Sequence, residues 1–162
     1  MARTGFAERN GLHSRERDEQ MRDALKLIKD KQLETVRVSF ADQHGVLRGK
    51  TIMATAFEAA CLGGVPITST LLLKDTAHQT VFPVWDKDAG FGDGRLTGAG
   101  DVVMMPDPAT FRALPWSANS GWVLCDLHYT DGDPVGFSSR QVLREALARL
   151  AGKNLDLMTG LE

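Results

Sequence analysis

The chain has 162 residues, 43% of them hydrophobic and 25% charged, with 19 basic residues against 21 acidic for a formal charge of −2. That length fits one domain, able to bury roughly 70% of its unfolded surface in a single core without staples. No apolar run approaches the ~20 residues of a membrane span, and a near-neutral charge offers no field to nucleic acid or an anionic membrane, so neither partner is expected.

Residues 1–18 scatter Arg and Glu without the apolar segment of a secretory signal; they read as a disordered leader on a cytoplasmic protein. Over 19–33, Met21, Ala24, Leu25 and Ile28 share one helical face, with Asp18 placed to cap it and Arg22, Asp23, Lys26 and Lys29 on the solvated side. Residues 36–40 and 46–53 have strand character and flank Asp42, Gln43, His44 and Gly45, where Asp can bond its own backbone and Gly can take positive φ. This is a hairpin. Val36, Val38 and Phe40 point one way and Arg37 and Ser39 the other, so one face needs a cover that the rest of the chain supplies.

Thr55 and Glu58 have capping-box spacing, predicting a short helix over 56–62 that ends at Gly63-Gly64. The long stretch 65–100 is glycine-rich and aperiodic, which predicts a functional loop or disorder, with Phe82, Trp85 and Phe91 docking part of it. Within it Leu71, Leu72, Leu73, Phe82, Val84 and Trp85 are expected to form an exposed apolar surface or to be disordered. Strands follow at 101–105 and 122–128, with 111–116 as an edge strand closed by Pro115 and a turn at Asp131-Gly132-Asp133-Pro134. Ser138 or Ser139 caps a helix whose Val142, Leu143, Ala146, Leu147 and Leu150 form an apolar stripe ending at Gly152, and 154–158 reads as a last strand. Four or five short strands packed on helices make an α+β domain.

Cys61 and Cys125 lie among apolar neighbours without metal or redox spacing and read as buried thiols. His13, His44, His78 and His128 have no short-range ligand spacing. Asp86, Asp88 and Asp93 miss the register of a calcium loop, and Gly90, Gly92 and Gly94 precede no helix with the Lys of a phosphate cradle.

Several segments, read together, resemble the amino-terminal domain of the glutamine synthetase family. They are Asp42-x-x-Gly45 followed by Arg48-Gly49-Lys50, then Pro106-Asp107 after Asp101, then Asp126, Asp131-Gly132-x-Pro134 and Arg140, in the family's order from 36 to 162. The Arg-Gly-Lys form is similar to its glutamylpolyamine and amine-ligase branches. The resemblance implies a β-grasp (ubiquitin-like) mixed sheet over 19–158, with 159–162 opening a catalytic domain that the chain does not continue into. It further implies an ATP-dependent ligase joining ammonia or an amine to the γ-carboxylate of glutamate, using magnesium or manganese. In that reading Glu162 matches a metal-binding glutamate. The partners implied are the protein's own catalytic domain and neighbouring subunits of a homo-oligomeric ring, each active site being closed by the next subunit's amino-terminal domain. No metal or nucleotide is expected on this stretch alone. Where ammonia-using members carry an aspartate, this chain has Ile67, Thr68, Ser69 and Thr70, which become the substrate-loop candidates and point toward an organic amine. A free-standing, non-catalytic β-grasp interaction module is the other reading left open.

Overall fold

A computed structural model describes residues 5–86 and 94–153. β1 (Thr35–Ala41) pairs antiparallel with β2 (Leu47–Met53) on one side and parallel with β6 (Ser120–Tyr129) on the other. The far edge of β6 is shared: its second half takes β4 (Asp101–Pro106), and its first half takes the two-residue β5 (Arg112–Ala113). β3 (Val65–Thr68) pairs antiparallel with β4, giving the order β2-β1-β6-β4-β3. Lys50 Nζ donates to the Pro66 carbonyl oxygen at 2.6 Å, so the two outer strands approach across an open seam and the sheet is nearly a barrel.

Strand alternation sets the core. Val36, Val38, Phe40, Val102, Met104, Val123, Cys125 and Leu127 are all buried on one face, packed with Ala24 of α2 (Arg15–Asp30) and with Phe57, Ala60 and Cys61 of α3 (Phe57–Gly63). This is the α+β architecture expected. At Gly49, opposite Ser39, a Cβ would collide with the Val38 carbonyl oxygen, so the strands close only around glycine.

Several expectations are corrected. The leader is not disordered over its described part: Phe6–Arg9 forms a short helix, α1, whose Phe6 and Ala7 are buried against Val103 and Met105. α2 begins at Arg15 rather than Glu19, because Ser14 is its cap and accepts from the Arg17 amide at 3.1 Å; Asp18 instead faces His13. No Thr55 capping box forms, since 54–56 is a 3-10 turn, although Gly64 ends α3 at φ 72° as a left-handed residue should. The stretch 65–100 opens with β3 and a 3-10 segment, Ser69–Leu73, that buries Leu72, Leu73 and later Val84; Leu71 and Phe82 are half-buried and only Trp85 of the expected surface is open. The 111–116 strand shrinks to β5. α4 (Ser139–Ala151) forms where expected, but its apolar stripe is not covered: Val142, Leu143 and Leu147 are exposed. Phe91, Asp88, Asp93, the 154–158 strand and Glu162 lie outside the described residues.

Leu72, 3% exposed, and Trp85, 77% exposed, separate these accounts of the segment. Leu72→Ala should lower the unfolding free energy in urea by about 2–5 kcal/mol and Trp85→Ala by less than about 0.5 kcal/mol. Equal effects would mean that 69–73 does not pack as described.

Candidate functional site

The hairpin tip is built on one buried carboxylate. Asp42, 1% exposed, accepts from the His44 and Val46 amides at 2.9 Å each through Oδ1 and from Arg48 Nε at 2.6 Å through Oδ2. Burial by itself raises the Asp42 pKa, but the Arg48 guanidinium and the two amides together hold it below 3.8. Gly45, at φ 76°, lets the chain turn back within this grip. Arg48 Nη1 then reaches His78 Nδ1 at 3.0 Å. A guanidinium only donates, so His78 Nδ1 accepts and the ring proton sits on Nε2. Among the described residues, Arg48 Nη2 is buried without a hydrogen-bond partner.

The turn after β3 stands at the same end of the sheet. β2 and β3 run in opposite directions, and Lys50 meets Pro66, so Arg48 and the Thr68–Thr70 turn share one end of the seam. Of the four residues expected to line a substrate loop, two do not. Ile67 is 3% exposed and paired with Val102, its side chain in the core by strand alternation, and Ser69 is fully buried with its amide donating to the Gly100 carbonyl. Thr68 and Thr70 remain half-buried, their hydroxyls 3.1 Å apart, and Thr68 Oγ1 also donates to the Ala99 carbonyl. The turn therefore presents hydroxyls and no carboxylate.

Between the hairpin tip, with Gln43 and His44, and the segment carrying Leu72, Leu73, Val81 and Phe82 lies a cleft of about 420 Å³ with mainly apolar walls. It is large enough for a small organic group. Among the described residues no three His, Cys, Asp or Glu side chains gather into a metal site.

A second cluster unites three motif positions that the sequence left separate. Arg140 donates to Asp107 Oδ2 at 2.6 Å and to Asp126 Oδ1 at 2.9 Å, and Arg144 adds Asp126 Oδ2 at 2.7 Å. Burial raises the Asp126 pKa, yet Arg144 and Arg140 outweigh it and leave the carboxyl below its usual value; Arg140 is in turn held above its own. The signal available was an acidic residue just after one strand, another inside a second strand, and arginines opening a helix. Their convergence needed the β4–β6 register. The thiols are structural: burial raises Cys61 to about 12 and Cys125 further, so neither is a thiolate at neutral pH.

No protein-family model matches the chain. Over 160 residues, 97% of this chain and 32% of the relative, it is 33% identical to gamma-glutamylanilide synthase of an Acinetobacter species. Over 80% of this chain and 27% of the relative it is 36% identical to gamma-glutamylethanolamide synthetase of Streptomyces coelicolor. The chain belongs to the glutamine synthetase family. The solved ADP complex of GmaS superposes with a TM-score of 0.61 and 27% identity, over 81% of this chain and 26% of that one. The chain thus spans about a third or less of the length of these family members, and corresponds to their amino-terminal part.

The grip on Asp42 has a pH signature. A carboxyl whose folded pKa lies below its unfolded value of 3.8 stabilises the fold fully above about pH 4, and that stability is lost as pH falls through the folded value. Asp42→Asn should cost about 3–5 kcal/mol at pH 7, by leaving Arg48 without its counter-charge, and should lose less further stability than the parent between pH 7 and pH 3. Urea melts at both pH values check this; parallel losses in the two proteins would remove Asp42 from the account.

Proposed function

We propose that this chain is the amino-terminal part of an ATP-dependent ligase that joins an organic amine to the γ-carboxylate of glutamate. The observation that carries this reading is the identity to two family members named for glutamyl amides of organic amines, an anilide and an ethanolamide. The Thr68–Thr70 turn supports it. Ammonium entering a partly buried site gives up strong hydration, which only an opposed charge or a full set of acceptors replaces, and this turn offers neither. An amine bearing a ring or methylenes gains instead from the apolar cleft beside the hairpin tip.

In this reading the hairpin end of the sheet closes the active site of a neighbouring subunit in a homo-oligomeric ring. This region shapes and shields that site. Arg48 fixes the hairpin tip against the 74–80 segment, and Lys50 holds the seam so that the Thr68–Thr70 turn keeps its position. In this reading glutamate, ATP and a divalent metal fall to the catalytic domain, with Glu162, outside the described residues, as the first metal ligand. No helix among the described residues is long and apolar enough to cross a membrane. We place the reaction in the cytoplasm, where ATP is at hand.

Phosphate release by the full-length protein with glutamate, ATP and magnesium should depend on an added amine, and kcat/KM should be higher for at least one organic amine than for ammonium. No amine-dependent release with any substrate would sink the ligase reading. Release that favours ammonium over every organic amine would keep the ligase but remove the role given to the carboxylate-free turn. The 162-residue chain alone should show no turnover above a heat-killed control.

A further inference from the structure

Among the described residues, α1 covers only one end of the sheet face turned away from α2 and α3. At the β4 end, α1 lays Phe6 and Ala7 over Val103 and Met105, with the Phe6 ring edge-on to His128 at 6.1 Å. At the other end, pairing sets Arg37 of β1 beside Trp122 of β6, and Trp122 beside Arg112 of β5. With Leu47, Leu114 and Trp116 they line a groove of about 400 Å³. Trp116 is 76% exposed and Leu47 54%. The Arg112 guanidinium lies over the Trp122 ring, 4.7 Å from its centroid, and Arg37 Nη2 donates to Ser117 Oγ at 3.2 Å. Among the described residues neither arginine meets a carboxylate.

We propose that this groove docks an acidic protein segment in which a carboxylate stands beside an apolar side chain. Stacking and the Ser117 contact hold both guanidiniums in place while leaving most of their N–H groups free, the arrangement that recognises a carboxylate by forked hydrogen bonds. The indoles and leucines between them supply the apolar, low-entropy surface on which binding energy concentrates. Charge decides between occupants. A second copy packed face to face about a twofold axis would set two like arginine pairs against each other in a drying contact. A nucleic-acid strand would meet only two cations on a chain of net charge −2, too few for a useful counterion gain. A carboxylate-bearing segment satisfies both arginines and covers the indoles.

Panning a phage-displayed random heptapeptide library on the 162-residue chain tests this. Enriched peptides should place Asp or Glu next to Leu, Ile, Phe, Tyr or Trp. A synthesised enriched peptide should bind about tenfold or more weakly to the Arg37→Gln, Arg112→Gln double variant, and equally weakly when its acids are replaced by amides. Its affinity should fall as salt rises. The double variant should keep the parent's thermal melt, because both side chains lie on the surface. No enrichment, enrichment without acids, or binding indifferent to the double variant would overturn the proposal. So would a dimer in sedimentation velocity that Trp116→Ala dissolves, which gives the face to a second copy, or benzoate competing as strongly as the peptide, which reduces the groove to a small-anion pocket.

Discussion

One buried ion pair holds the hairpin end of this domain together. Asp42 and Arg48 are six residues apart on the two arms of the hairpin, with side chains 1% and 9% exposed. Removing two such ions from water costs several kcal/mol each, so the pair holds only because the carboxylate is saturated: three donors reach its two oxygens. The guanidinium is less well served. It spends one nitrogen on His78 and leaves another without a partner among the described residues, and through that His78 contact the hairpin tip and the 74–80 segment share a single cation. His78 sits at φ 63°, a conformation that costs a non-glycine residue free energy and that its Arg48 contact helps to hold. The cleft lies between these two elements, so its width follows from the same contact.

The sheet divides its labour by face. The inner face is a continuous apolar layer closed by α2 and α3, whereas the outer face is split between the half under α1 and the half carrying Arg37, Arg112 and the indoles. β6 makes that split possible, because a strand of ten residues borders β1 along one edge and both β4 and β5 along the other. Gly49 contributes at the opposite margin by letting β2 lie close against Val38. The hairpin end and the outer groove therefore both lie apart from the inner apolar layer.

What could be read from the residues was whatever repeats over a whole strand or a helical face. Val36, Val38 and Phe40 alternate cleanly, as do Val123, Cys125 and Leu127, and the hairpin, β4, β6 and α4 stand where the pattern put them. α1 was missed because four residues have no periodicity to show; Phe6 is buried because Val103, Met105 and His128 are brought to it from strands about a hundred positions or more away. The 65–100 stretch failed for a related reason. Ser69–Leu73 has the aperiodic look of a loop, yet it is a 3-10 turn that drops Leu72 and Leu73 into the core. At the candidate site, the family resemblance located the turn without a carboxylate but not its orientation. That depended on Ile67 pairing with Val102, a register written in β4 rather than in the turn.

α4 differs from every other long element. None of its residues is buried, and its ties to the sheet are Arg140 and Arg144 on Asp107 and Asp126, with Ser139 Oγ donating to the Ala41 carbonyl. All of these lie in its first two turns. The helix is thus a lever mounted on a charged pivot. Because Arg140, Asp107 and Asp126 are mostly buried, salt screens this anchor less than it screens the open Arg149–Glu145 pair farther along the same helix.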